Sequence, residues 1–137
     1  MDFARATFQR VSFRQCRVTG AQFTGVSLMN AQFQACQMDY VNFSDAKAQH
    51  AVFDSCALKE SVFSQFKWQD WVLKECSLRR AELHHTRLQG LDVRSCDIEG
   101  IIVDMSALRG LKVTPAQAMA LSALLGLEIG ERESERE

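Results

Sequence analysis

The chain has 137 residues, 47% apolar and 24% charged, with 16 basic and 17 acidic side chains and a formal charge of −1. That is the composition of one compact globular domain, and it excludes both a uniformly basic nucleic-acid binder and a strongly acidic solvating chain. With one proline, Pro115, and seven glycines, no flexible linker divides the sequence. No apolar run approaches the ~18 residues of a membrane span and no charged-then-apolar leader opens the chain. The sequence therefore predicts a protein that neither crosses a membrane nor enters the secretory route.

From Phe3 to Val113 every fifth residue is apolar, 23 positions without an exception. At this composition chance would do so on the order of once in 10⁷ to 10⁸ trials, so the pattern is structural. Two residues before each of these runs a second column of mostly small side chains, from Ala6, Val11, Cys16 and Ala21 onward. A period of five fits neither a helix at 3.6 nor a strand at 2. It fits a chain that turns a corner every five residues, with one large and one small side chain inward per side. Four sides close a coil of 20 residues, and coils stack at the ~4.8 Å strand spacing. The expectation is an all-β quadrilateral parallel β-helix of about five and a half coils over residues 1–113.

Along this register Phe3, Phe23, Phe43 and Phe63 stack on one side and Phe13, Phe33 and Phe53 on the opposite one, two aromatic ladders facing each other across the lumen. Cys16, Cys36, Cys56, Cys76 and Cys96 are one coil apart, a single inner ladder. Their spacing matches no zinc pattern, and stacked Cβ atoms ~4.8 Å apart exceed the ~3.5–4.5 Å of a disulfide. They read as small buried hydrophobes, and five free thiols point to a reducing cytosol. At Phe66-Lys67-Trp68-Gln69-Asp70-Trp71 bulk occupies positions that one coil earlier hold Ala46, Ala48 and Ala51. Local repacking or a bulge is one reading of this cluster, and an aromatic binding surface is the other.

After Val113 the period stops. Thr114-Pro115-Ala116-Gln117 reads as an N-cap, a proline at the first helical position and a capping-box partner. A helix carrying Leu121, Leu124 and Leu125 follows, with Gly126 as its left-handed end. It should lid the open end of the solenoid. Leu127-Glu128-Ile129 alternates as a short strand able to pair with another copy, giving residues 114–130 as cap and dimerisation segment and 131–137 as a mobile charged tail. Leu121, Leu124, Leu125, Leu127 and Ile129 form an apolar strip that predicts a homodimer interface.

Residues 1–113 hold 14 basic and 12 acidic side chains. Arg10, Lys47, Lys67, Arg87 and Arg109 fall on one side, with Lys47, Lys67 and Arg87 one coil apart, and the adjoining side carries Asp2, Asp45, Glu82 and Asp104. The basic row is the candidate partner-binding surface, and a merely solvated face is the other reading. His50, His84 and His85 point outward, and His84-His85 has no carboxylate or thiol in its own coil arranged for catalysis or metal binding. There is no glycine-rich phosphate loop, and a filled lumen leaves no pocket. No enzyme activity, cofactor, metal, membrane contact or direct nucleic-acid binding is expected.

Ala21-Gln22-Phe23-Thr24-Gly25, Ala81-Glu82-Leu83 and Cys96-Asp97-Ile98-Glu99-Gly100 carry a pattern that resembles the pentapeptide repeat family, over residues 1 to about 113. Phe66-Lys67-Trp68, Leu78-Arg79-Arg80-Ala81-Glu82-Leu83, Leu88-Gln89-Gly90-Leu91-Asp92-Val93 and the ending Leu125-Gly126-Leu127-Glu128-Ile129 look like the C-terminal half of its Qnr- and MfpA-type members. The resemblance implies a right-handed coil and a cytoplasmic dimer joined through its C-terminal ends. It also implies binding to DNA gyrase or topoisomerase IV, with protection of that enzyme from quinolones. A general scaffold or interaction domain with a different partner is the alternative.

Overall fold

The computed structural model describes residues 1–126 and 130. Its architecture starts from the corner. Every fifth residue from Arg5 to Gly90 has a positive φ, between 50° and 86°. This left-handed conformation turns the extended chain once per side, at roughly 1–2 kcal/mol for a residue with a Cβ. The stacked coils hold these corners in place through their amides: those of Gln15, Ala35 and Ser55 donate to the carbonyls of Gln34, Asp54 and Lys74 in the next coil, at 2.8–2.9 Å.

Four eight-residue strands, β1 (Thr7–Arg14), β2 (Ser27–Gln34), β3 (Lys47–Asp54) and β4 (Lys67–Lys74), form one parallel sheet in the order β1-β2-β3-β4. Each bends at its own corner, at Arg10, Asn30, His50 or Asp70, and so covers two sides of the coil. Partners are 20 residues apart throughout, as in Phe13↔Phe33, Phe33↔Phe53 and Phe53↔Leu73. The other two sides touch through single bridges, which run from Asp2↔Gln22 to Glu82↔Ile102 on one and from Arg17↔Gln37 to Ser77↔Asp97 on the other. The chain is thus a parallel β-solenoid whose regular ladder spans three turns, β1 to β4. Beyond β4 the 20-residue register is carried by single bridges alone, the last being Asp92↔Lys112, so the regular part is shorter than the sequence register. At Met105–Ala107 a short 3₁₀ turn replaces the left-handed corner.

The lumen is filled by side chains from all four sides. Phe23, Phe43 and Phe63 stack at 4.7 and 5.1 Å with interplanar angles of 9° and 7°, and Phe13, Phe33 and Phe53 at 4.8 and 4.7 Å. Across the lumen the two stacks meet edge to face, as at Phe43–Phe53, 5.8 Å and 87°. Phe23, Phe33, Phe43, Phe53 and Phe63 thereby take both favourable aromatic geometries, worth about 0.5–1.5 kcal/mol per pair beyond area burial.

The aromatic cluster on β4 changes the stacking. Trp68 and Trp71 sit in register over Ala48 and Ala51 without a bulge in β3 or β4. Above them, however, among the described residues, no backbone hydrogen bond joins Lys67–Lys74 to residues 87–94. Side chains bridge the gap instead. Trp68 Nε1 donates to the Arg87 carbonyl at 2.6 Å, Arg87 Nη2 donates to the Trp68 carbonyl at 3.1 Å, and the Glu75 amide donates to Ser95 Oγ at 3.0 Å.

α1 (Pro115–Leu121) starts on Thr114, with both halves of the capping box in place, and a 3₁₀ turn at Ser122–Leu125 finishes it before Gly126, at φ 73°. The single helix expected from the sequence is therefore shorter, with a tightened last turn. Gln117 also ties the helix to the solenoid, because its Nε2 donates to the carbonyls of Val93 and Cys96 at 2.8 and 2.9 Å.

Candidate protein-binding surface

The outward side that begins each β strand is built from three columns. Thr7, Ser27, Lys47 and Lys67 head the strands, and Gln9, Met29, Gln49 and Gln69 stand beside them. The corner column holds Arg10, Asn30, His50 and Asp70, where His50 Nδ1 meets Asp70 Oδ2 at 2.7 Å. Lys47 and Lys67 are direct register partners, both exposed. Arg87 follows them in sequence register but lies over the Trp68 ring, 4.9 Å from its centroid. Arg10 occupies the neighbouring corner, far down the solenoid beside Asn30 and His50. Arg109 stands on the last coil next to Gly110. The structure thus brings Lys47 and Lys67 together, diverts Arg87 into a clasp and leaves Arg10 and Arg109 apart.

On other sides Arg79, Arg80 and Arg94 are ion-paired. Arg79 meets Asp97 and Glu99 at 3.0 and 2.9 Å, and Arg80 approaches Glu60 at 3.9 Å. Arg94 chelates Asp92 at 3.0 and 2.9 Å, which draws that carboxyl down to about 2. Asp97 is also lowered, first by the Glu99 amide and then by Arg79. Among the described residues neither Lys47 nor Lys67 has an ion-pair partner.

Sequence reasoning found no carboxylate for His84 and His85 in their own coil. The structure supplies one from the next. Asp104 accepts the His85 amide at 2.7 Å and lies 3.5 and 3.8 Å from the two Nδ1 atoms, and its carboxyl is lowered chiefly by that amide. The signal lay in the offset of 19 and 20 residues, which places neighbours one coil up. Among the described residues no group of three or more His, Cys, Asp or Glu is placed to hold a metal.

Cys36, Cys56, Cys76 and Cys96 are buried, Cys16 is half-buried, and all five are free. Cys36, Cys56 and Cys76 also donate to the carbonyls of Phe13, Phe33 and Phe53 at 3.2–3.3 Å, a bond to the coil below that the reading of them as plain hydrophobes missed.

The sequence leaves no pocket in a filled lumen, but pockets do open on the outside of the solenoid. A cleft of about 650 Å³ opens between β4 and the coil above it, and a groove of about 520 Å³ runs between the last coil and α1, lined by Ile98, Ile101, Ala120, Leu121 and Leu124. Leu121 is half-buried, and Leu124 and Met119 are exposed at the end of the molecule. The Leu125 side chain, Leu127, Ile129 and the 131–137 tail lie outside the described residues. No helix among the described residues is long and apolar enough to cross a membrane.

A parallel solenoid with five-residue sides, left-handed corners and side chains filling its lumen defines a class of repeat protein. The pentapeptide repeat region model matches residues 6–83, more than half the chain, and the pentapeptide repeat model of eight copies matches residues 72–100. The chain belongs to the pentapeptide repeat family. No curated protein matches it. Among solved structures it is similar to HetL, a pentapeptide repeat protein involved in heterocyst differentiation regulation in the cyanobacterium Nostoc sp. strain PCC 7120, at 15% identity and a TM-score of 0.59. That match covers 81% of this chain, which spans 59% of the length of HetL. It is also similar to trypsin-treated QnrB1, a plasmid-mediated fluoroquinolone resistance protein, at 18% identity and a TM-score of 0.48, covering 93% of this chain and 84% of that one. A third match is a pentapeptide repeat protein of the Arabidopsis thaliana thylakoid lumen, at 17% identity and a TM-score of 0.46, covering 88% and 77%.

Proposed function

We propose that the chain is a non-enzymatic, cytoplasmic protein-binding solenoid whose partner is DNA gyrase or topoisomerase IV. The observation that carries the binding reading is the pair Lys47–Lys67, exposed and in register on a rigid wall, without an ion-pair partner among the described residues, whereas Arg79, Arg80 and Arg94 are paired. Like charges one coil apart repel modestly when exposed, and an acidic partner surface relieves that repulsion and steers encounter. The topoisomerase as partner rests on the sequence resemblance of the C-terminal half to Qnr-type members.

Charge favours a second reading. A duplex mimic needs a dense negative surface, because a site built for DNA attracts phosphates, whereas residues 1–113 are 14 basic to 12 acidic. A scaffold with a non-topoisomerase partner fits that balance. A supercoiling assay with gyrase, run with and without a quinolone, separates the two. Rescue from the drug or inhibition of supercoiling supports the topoisomerase, with Lys47→Glu/Lys67→Glu weakening the effect. No effect at micromolar protein selects the scaffold.

The molecule is proposed to work as a homodimer through its C-terminal end, centred on Leu121, Leu124, Leu125, Leu127 and Ile129. The groove beside α1 and the exposure of Leu124 support this. In sedimentation velocity at tens of micromolar the parent should be dimeric, and Leu125→Asp/Ile129→Asp a folded monomer. A monomeric parent removes the proposal.

A further inference from the structure

Between β4 and the coil above it the ladder is missing on two adjacent sides, although it is intact below β4 and pairing resumes higher up at Asp92↔Lys112. On the first of these sides the Trp68–Arg87 clasp closes the gap. On the second no backbone bond does; the Cys96 thiol reaches the Leu73 carbonyl at 3.6 Å and the Glu75 amide reaches Ser95 Oγ just past the strand's end. The parallel series Ser12, Gln32, Val52, Val72 ends at Val72, and Asp92, which would continue it, pairs only upward. The edge of β4 from Asp70 to Lys74 therefore faces Gly90, Asp92, Arg94 and Ser95 across the open cleft of about 650 Å³.

A second observation concerns Trp71, which is among the residues lining the cleft, packs its ring against Phe63 and Phe66, is 4% exposed, and keeps its indole N–H buried with no acceptor. Buried donors are rarely left unmatched, because the water they gave up is not replaced. The rim has one available charge. Asp92 and Arg94 are bonded to each other and Asp70 is held by His50, whereas Lys74 has no ion pair among the described residues.

We propose that this window is a docking site for an extended peptide segment of a partner protein. The segment adds as a strand to the free edge of β4, offers an acceptor to Trp71 Nε1 and sets an acidic side chain against Lys74. Unpaired main-chain groups are matched best by another main chain, which is why an open sheet edge selects an extended peptide. At ~3.3 Å per residue the edge from Asp70 to Lys74 accommodates about four or five residues. This deepens the protein-binding reading above and rests on it, without depending on a topoisomerase as the partner.

The test is a titration of the ¹⁵N-labelled full chain with the peptide acetyl-Thr-Val-Glu-Val-Thr-amide. The Trp71 indole signal and the Val72 and Leu73 amides should shift saturably, while the Trp68 indole, already bonded to the Arg87 carbonyl, stays put. Lys74→Glu, or lysine in place of the peptide's glutamate, should weaken binding at least fivefold, and N-methylation of alternate peptide amides should abolish it. Trp71→Leu should remove the response too. Should that variant fail to fold, the surface change at Lys74 and the methylated peptide still decide the matter. No saturable shift up to millimolar peptide overturns the proposal. An equal response to the methylated peptide overturns it as well, since that reports apolar contact alone. Shifts at Val72 and Leu73 that grow with protein concentration before peptide is added assign the edge to a second copy and overturn it in turn. None of these results alters the supercoiling assay, and a failed supercoiling assay leaves the titration to be decided by itself.

Discussion

A side chain in this coil answers to the residues 19 to 24 positions away more than to its sequence neighbours. The inner cysteines show it: Cys36, Cys56 and Cys76 are sealed by the coils above and below, only 1–2% exposed, while Cys16 in the first coil is half-buried. Burial pushes the Cys36 thiol up, hydrogen bonding with Cys56 and Cys96 and then burial push Cys76 up, and the same bonding with Cys76 draws Cys56 and Cys96 down to about 7. What keeps these four from a reagent is burial, because a sealed thiol reacts slowly even where its ionisation is favoured. At pH 8 iodoacetamide should label Cys16 in the folded protein and the other four only on unfolding; peptide mapping that finds early label at Cys56 or Cys76 contradicts this packing. The corner glycines make a second residue-scale case. Gly90 and Gly110 share nearly the same backbone, φ 86° and 83°, but a Cβ at Gly90 meets nothing within 4 Å and one at Gly110 comes within 3.1 Å of Gln89 Cα. Gly90→Ala should cost about 1–2 kcal/mol of stability, the left-handed penalty alone, and Gly110→Ala clearly more, both read from urea unfolding.

At the scale of elements, a strand or helix here is held by whatever meets its open groups. β1 to β4 hold each other through a shared 20-residue register. α1 is only seven residues long, too short to persist on propensity, and Gln117 holds it at both levels. Its Oε1 accepts the Thr114 amide at 2.9 Å, while its Nε2 satisfies Val93 and Cys96. Gln117→Ala should therefore destabilise the C-terminal cap by about 1–3 kcal/mol. Gln117→Glu keeps the capping acceptor and loses the two donations. If hydrogen exchange shows both variants fraying α1 alike, the bonds to the solenoid dominate; if the glutamate variant protects like the parent, the capping box does.

Across the whole molecule the outer charges set the response to acid. Asp92 is held near 2 by the Arg94 guanidinium, and Asp97 and Asp104 lie below the ordinary carboxylate range, chiefly through backbone amides. A carboxyl with a depressed folded value stabilises above its unfolded value near 4 and loses that contribution as pH falls through the folded one. The melting temperature should decline from about pH 4 to about pH 2. Arg94→Gln should flatten the Asp92 part, and salt should reduce all of it, since these groups are exposed. A melting temperature unchanged down to pH 2 would mean that these contacts do not differ between folded and unfolded chains.

The alternation of large and small side chains from Phe3 to Val113 is a local pattern, and because each corner repeats the last, it determines the coil and the inward side chains without knowledge of the rest. The 20-residue spacing of the cysteines sets the coil length for the same reason, and Thr114-Pro115-Ala116-Gln117 marks the helix start because capping is decided within four residues. The aromatic cluster shows the limit. Its sequence announces excess volume at Phe66, Trp68 and Trp71, but not where the volume goes. Only packing decides that Trp71 fits over Ala51 while the ladder above β4 opens, that Arg87 leaves its row to lie on Trp68, and that Asp104 reaches back to His84 and His85. These are relations between coils. They depend on side-chain volumes and bond directions at the contact, quantities that no period along the chain encodes.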